Sequence, residues 1–239
     1  ISGGRLILGI GAGYAPEEFA AFGLSVKQRG SRLDEGAALL RRLWTETSVT
    51  HHGRYYHVEG ATVGPKPVQQ PAPPIWFGAW TTPAIHRAAR LGDAWLGGPS
   101  ATLSELLSCV ESYRNACTET GKEPGTIAAF RYVFVAPNTE QAVESAGDSF
   151  IQAYENMYFR WPHPVIKRPS GRLTIESLAQ NRIILGDPET CIREITHFRQ
   201  KLGLDHLICR FSVPGISRKA SMASLDLFAQ EIMPALRAE

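Results

Sequence analysis

The chain has 239 residues, 44% hydrophobic and 20% charged, with a formal net charge of +2, an ordinary globular composition for one large domain or two small ones. Its basic residues are scattered, with no Lys/Arg block, aromatic-basic interleave or zinc-type spacing, which argues against nucleic acid as a partner. No apolar run approaches the roughly 18 residues of a membrane span and no signal peptide precedes the first strand, so no membrane is expected and the expected setting is cytoplasmic. Cys109, Cys117, Cys191 and Cys209 are widely spaced and read as reduced structural thiols, not as a disulfide framework or metal site.

The first segment, Arg5-Leu-Ile-Leu-Gly-Ile-Gly-Ala-Gly13, is a continuous apolar run that predicts a parallel strand covered on both faces. Gly9, Gly11 and Gly13 recur at period two and so fall on one face. A strand gives up side chains in this way where something flat or bulky lies against it, or where a tight strand-to-helix turn needs small residues. Ile1 stands only four residues before this strand, which suggests an N-terminally incomplete chain, since termini usually fray before they meet a core.

Pro16-Glu17-Glu18-Phe19 opens a short helix closed by Gly23, and a second helix is predicted over Gln28 to Trp44. Val49 to Val58 predicts a small hairpin with His51 and His52 at its tip, a likelier role than metal binding, which needs more ligands. The proline-rich stretch from Pro65 to Pro74 crosses in extended form to a strand, Pro74-Ile-Trp-Phe-Gly-Ala79. A helix over Ala84 to Leu91, with His86 on its surface, precedes a short buried strand, Ala94-Trp-Leu-Gly-Gly98. A helix from Thr102 to Thr120 and a strand from Ala128 to Val135 follow, then a helix from near Asn138. Tyr154 to Arg182 is irregular, polar and aromatic. Asp187-Pro188 caps a long helix ended by Gly203, and a strand at His206 to Phe211 and a helix from Ser221 to Leu236 complete the chain. Five strands alternating with helices require βαβ units and a parallel sheet, as a doubly wound sheet or a (β/α) barrel.

The glycines do not make a dinucleotide fingerprint, because Tyr14 stands where the last glycine belongs and the acids at the right distance, Asp34 and Glu35, fall inside a helix. A P-loop is also excluded, with no Gly-Lys-Ser/Thr following. The stretch Phe77-Gly-Ala-Trp-Thr-Thr-Pro-Ala84 is a strand end running into a helix with two hydroxyl residues at the turn. Free N–H groups and the helix dipole there suit a phosphate, with Thr81 and Thr82 as added donors. The alternative is that either threonine merely caps the helix.

Ser2 to Tyr14, Glu17-Glu18-Phe19, Arg29-Gly-Ser-Arg-Leu-Asp-Glu35, Leu43-Trp44, Gly53-Arg-Tyr-Tyr56, Pro65-Lys-Pro-Val68, Pro74-Ile-Trp-Phe-Gly78 and Arg87 to Trp95 together resemble the luciferase-like flavin monooxygenases in order and spacing. The resemblance implies a TIM-type (β/α)8 barrel over residues 1–239, N-terminally incomplete, with strands four to eight present and a lid-like insertion around 154–182. It implies reduced FMN as cofactor, or the deazaflavin F420 in other branches. Gly11, Ala12 and Gly13 would lie near the ring, and Gly78, Ala79, Trp80, Thr81 and Thr82 would form the phosphate segment, at the carboxyl ends of strands where such sites are built.

The luciferase branch carries Cys-Arg where this chain has Gly11-Ala12, which argues against light emission. The implied activity is a monooxygenase using oxygen on a small organic substrate, with a deazaflavin-dependent dehydrogenase or reductase as first alternative and a non-catalytic flavin-binding protein as another. The family's polar catalytic residues would fall on the absent strands. Tyr14, Trp95, Tyr158, Arg160 and His163 are the substrate-side candidates, Arg160 and His163 for an anionic group or proton transfer. Tyr14 and Trp95 are equally natural as core aromatics, and the stretch around Tyr158 as a variable loop. A separate flavin reductase and a homodimer of the full-length protein are further expectations.

Overall fold

The computed structural model describes residues 1–160, 168, 170–180 and 182–237. They form two compact units, Ile1–Leu96 with Ser112–Gly125, and Gly97–Glu111 with Thr126–Glu239.

In the first unit, β1 (Leu8–Gly11) is followed by α1 (Pro16–Ala21), α2 (Arg29–Thr45), the hairpin β2 (Val49–His52) and β3 (His57–Ala61), then β4 (Ile75–Gly78), α3 (Thr82–Leu91) and β5 (Ala94–Gly97). β1 pairs in parallel with β4, and β4 with β5. Ile75, Trp76 and Phe77 are buried, and α3 covers them with Ile85, Ala88 and Ala89, the i, i+3, i+4 stripe of a helix lying on a sheet. The expectation that the glycine strand is covered on both faces is corrected. Gly9 and Gly11 are exposed, as are Leu6 and Ile7 just ahead of the strand. Gly13 lies beyond the strand in the left-handed region at φ +78°, so only Gly9 and Gly11 share a strand face.

The two histidines are also not at the hairpin tip. Both belong to β2, and the chain reverses over Gly53–Tyr56. His51 is half-buried and its Nε2 lies 3.1 Å from Glu35 Oε1. Glu35 also accepts from the backbone N–H of Tyr56 at 2.8 Å and of Tyr55 at 3.1 Å. That one carboxylate fastens the hairpin to α2. Burial raises its pKa, but the Tyr56 and Tyr55 amides and the His51 ring outweigh this and hold it below the ordinary carboxylate value.

The second unit contains β6 (Thr126–Val135), α5 (Thr139–Ala153), α6 (Ile175–Ala179), β7 (Ile183–Gly186), α7 (Pro188–Leu202), β8 (His206–Arg210), α8 (Arg218–Leu227) and α9 (Met233–Arg237). α4 (Leu103–Glu119) contributes to this unit as far as Glu111. β6 is long enough to pair in parallel with β8 along Ala128–Tyr132 and with β7 along Tyr132–Val135. Its alternation divides the core. Tyr132 and Phe134 pack with Phe150, Tyr154 and Ile175, while Val133 and Val135 pack with Cys191, Ile195 and Phe228.

β7 is a sixth parallel strand that the five expected from sequence did not include. Four apolar residues carry little periodicity of their own, but Ile183, Ile184, Leu185 and Gly186 are all buried. The stretch from Tyr154 is likewise not irregular throughout. α5 continues as a wider π-type turn over Tyr154–Tyr158, and Tyr154, Ile175 and Leu178 are core residues, so these parts of the expected lid are packed structure. The helix expected from Ser221 begins earlier, at Arg218 of α8, capped by Ser217, whose Oγ accepts from Ala220 N at 3.1 Å. All four cysteines are free thiols, three of them buried.

Two buried arginines hold the Gly98–Ala101 loop of this unit. Arg131 donates Nη1 to Gly98 O at 3.0 Å and Nη2 to Ala101 O at 3.1 Å. Tyr154 donates its hydroxyl to Pro99 O at 2.7 Å, and Arg182 donates to Ser100 O. Four successive carbonyls thus receive side-chain donors. Burial lowers the Arg131 pKa to about 10, which leaves it charged at neutral pH.

Two outcomes are expected. Arg131→Ala leaves buried carbonyls without donors and should cost about 3 kcal/mol, measured by urea unfolding. Because the folded pKa of Glu35 is depressed, its stabilisation is present above the unfolded value and is lost as pH falls through the folded value. Glu35→Gln should therefore be less stable at neutral pH, and lose less of its thermal midpoint than the parent on acidification from about pH 6 to about pH 3.

Candidate cofactor site

Gly11 and Gly78 are register partners at the carboxyl ends of β1 and β4, and Gly78 in turn pairs with Leu96 at the end of β5. A Cβ built on Gly9 or Gly11 would meet no atom within 4 Å, and one on Gly78 only Ile10 O at 3.6 Å. The strand ends therefore present a strip of bare backbone facing open space. Beyond the strip, Ala12 is half-buried, Gly13 reverses the chain with Phe19 packed beneath it, and Tyr14 is 61% exposed.

After Gly78 the chain passes through buried Ala79 and half-buried Trp80 to Thr81, which precedes α3 in extended conformation. Thr81 O accepts from Ile85 N at 2.8 Å, but its side chain makes no capping bond. The simple capping role for Thr81 is thereby corrected, and its hydroxyl is left for another use. Thr82 and Ala84 lie in the first turn, where backbone N–H groups have no intrahelical acceptor, and Pro83 between them has no N–H at all. The positive end of the α3 dipole adds to the local field.

Trp95 takes a different place from the one expected of a pocket wall. It is fully buried, and its indole Nε1 donates to Ala79 O at 2.9 Å. A buried indole keeps a hydrogen-bond partner, and here that partner is the carbonyl one residue ahead of the Trp80–Thr82 turn. Trp95 fixes the backbone of the candidate phosphate segment from beneath. Its sequence signal was the strand itself, which could not say which way the indole points.

The remaining substrate-side candidates belong to the second unit. Tyr158 is half-buried, its hydroxyl 2.7 Å from that of Tyr132; burial first, and then this bond, push its pKa up, so it is neutral at physiological pH. Arg160 is exposed, and His163 lies outside the described residues. Sequence inspection missed Arg131, Arg182 and Tyr154, although an arginine inside the apolar run of β6 was a visible signal.

The residues fit a flat ring with an anionic tail. Bare glycine backbone accommodates a planar group at close range, and helix-terminal N–H groups with two threonine hydroxyls suit a phosphate. Among the described residues no His/Cys/Asp/Glu group could hold a metal, and no helix is long and apolar enough to cross a membrane.

The model of the luciferase-like monooxygenase family matches residues 1–206, and the chain belongs to that family. Curated relatives include proteins named F420-dependent glucose-6-phosphate dehydrogenase. The one from Amycolatopsis mediterranei is 29% identical, covering 100% of this chain and 72% of the relative. The one from Segniliparus rotundus is also 29% identical, covering 98% and 70%. Among solved structures, the monooxygenase RslO1 from Streptomyces bottropensis matches with a TM-score of 0.83 and 25% identity, over 98% of this chain and 70% of that one. An F420-dependent secondary alcohol dehydrogenase, solved with an F420-acetone adduct, shares the fold at a TM-score of 0.75 and 24% identity, over 97% and 70%.

The glycines of the strip should separate by substitution. Gly11→Ala should change stability by no more than about 1 kcal/mol, because its Cβ enters open space. Gly13→Ala should cost about 1–2 kcal/mol, because φ is +78° and the Cβ would stand 3.1 Å from Phe19. Urea unfolding of both variants checks the contrast.

Proposed function

We propose that this chain is a deazaflavin-dependent oxidoreductase of a (β/α)8 barrel architecture, exchanging hydride between F420 and a small organic substrate. The observation that carries it is the match to relatives named F420-dependent dehydrogenases along 98–100% of the chain. It takes precedence over the FMN monooxygenase expected from sequence. The glycine strip and the α3 terminus support either cofactor, since both pair a flat tricyclic ring with a phosphate.

The cofactor, when bound, supplies the hydride chemistry. In this reading Gly9, Gly11, Ala12, Gly13 and Gly78 leave room for the ring, and Thr81 and Thr82 hold the phosphate with the N–H groups of Thr82 and Ala84. Ala79 and Trp80 set the turn, with Trp95 as a positioning residue acting through Ala79. Tyr14 walls the ring side. Tyr158 and Arg160 are proposed for substrate contact. Glucose 6-phosphate, from the names of the relatives, is the first substrate to test.

A second reading, an FMN-dependent monooxygenase acting with oxygen and a separate flavin reductase, is favoured by the likeness to RslO1, whose TM-score is 0.83. Titration with F420 and FMN followed by cofactor fluorescence separates the two. The first reading expects F420 to bind at least about tenfold more tightly, a difference of about 1.4 kcal/mol, and reduced F420 to persist in air. Tighter FMN binding with oxygen uptake by the reduced complex would overturn it. Thr81→Ala should weaken FMN by about three- to tenfold and riboflavin much less, because only FMN carries the phosphate. Equal losses for both would remove Thr81 from phosphate binding.

A further inference from the structure

A cavity of about 310 Å³ in the second unit is lined by Leu103, Gln180, Arg193, Glu194, His197 and Phe198. It takes its walls from the start of α4, the end of α6 and one face of α7. None of these residues belongs to the strand ends where the cofactor is proposed.

The frame of the cavity is fixed. Phe198 is buried under the Arg131 guanidinium, whose Cζ stands 4.7 Å from the ring centroid. The same guanidinium holds Gly98 O and Ala101 O, shortly before Leu103. A reciprocal pair then sets the first turn of α4, with Thr102 N donating to Glu105 Oε2 at 2.7 Å and Glu105 N to Thr102 Oγ1 at 3.2 Å. Gln180 closes α6, its N–H donating to Glu176 O at 3.0 Å.

The charged groups on this frame are uncommitted. Arg193 makes one long bond of 3.4 Å to Thr190 Oγ1. Among the described residues, neither Glu194 nor His197 has an ion-pair or hydrogen-bond partner, and Arg193 does not pair with Glu194. Arg193 and His197 stand one turn apart on α7 and so share a face, with Glu194 beside them. Leu103 and the buried Phe198 give the cavity an apolar floor, while Arg193 and His197 are exposed and Glu194 half-buried at its rim, so that charges of both signs stand where a ligand bearing both could meet them.

We propose that this cavity binds a small zwitterionic α-amino acid. Its carboxylate meets the Arg193 guanidinium and the His197 ring, its ammonium meets Glu194, and an aliphatic side chain lies against Leu103 and Phe198. Gln180 supplies an amide for the remaining polar atom. The site is independent of the proposed oxidoreductase activity and stands or falls without it.

The test uses the chain as it is, with L-leucine as probe and amide chemical shifts as readout. Isocaproate and isoamylamine, which each keep one charge and the same apolar body, serve as controls. Saturable shifts at residues 193–198 are expected with L-leucine, and each control should bind at least about tenfold more weakly, the loss of one charge-assisted contact. Arg193→Met and Glu194→Gln should each weaken L-leucine by about tenfold or more with the thermal midpoint little changed, since the long, exposed bond from Arg193 to Thr190 is the one such contact the two side chains make among the described residues. Shifts that do not saturate by about 10 mM, controls that bind as tightly as leucine, or binding unaltered in both variants would each overturn the proposal.

Discussion

The parallel pairing of β1 with β4, which sets Gly11 opposite Gly78, is the constraint on which the candidate site depends. A parallel ladder aligns carboxyl ends with carboxyl ends, so two glycines far apart in sequence become neighbours at the same end of the sheet. Each alone would be a weak spot in a strand. Together they clear a strip of backbone beside the first turn of α3, and β5 then sends Trp95 beneath it to hold the Ala79 carbonyl. The flat surface and the donor-rich helix terminus arise from one register.

The second unit solves a different problem. Its strand β6 carries Arg131 into the interior, where an unpartnered guanidinium would be costly. The charge is met by backbone carbonyls instead of a dedicated carboxylate, and Tyr154 and Arg182 complete the set along Gly98–Ala101. A loop of Gly, Pro, Ser and Ala has little of its own to define its shape. Here the shape is imposed by three side chains from β6, from the end of α5 and from the approach to β7. The same arginine lies against Phe198, so the loop and the inner face of α7 share one rigid support.

Membership of the luciferase-like monooxygenase family brings together enzymes that handle reduced flavins in two ways, with oxygen or by hydride exchange. A bare ring face and a helix-terminal phosphate site serve both, because they recognise the cofactor and not the reaction. In the proposed reading the glycine strip and the α3 terminus receive a cofactor of this shape, and the names of the relatives favour the deazaflavin. The cavity on α7 shares no residue with that strip and has a charge pattern of its own.

Most of the elements were legible in the sequence, since apolar spacing marks α2 and α7, Pro or Gly stands at an end of α1, α3 and α4, and Asp187 caps α7. The candidate site was legible only as one of two readings, since glycines in a strand also serve tight turns and hydroxyls before a helix also serve as caps; the open space beside Gly9 and Gly11 and the unbonded Thr81 side chain are features of the fold. β7 was not legible, because four apolar residues show no period of their own and become a strand only by pairing with β6. The local sequence also could not give side-chain direction. That Trp95 points inward to Ala79, that Thr81 leaves its hydroxyl unspent, that His51 docks on Glu35 and that Arg131 grips a loop 30 residues away were decided by tertiary structure. Periodicity is a property of neighbouring residues, and the chain alone could determine elements and glycine positions. Partners for buried polar groups are chosen by packing between distant segments, and only the folded structure could supply them.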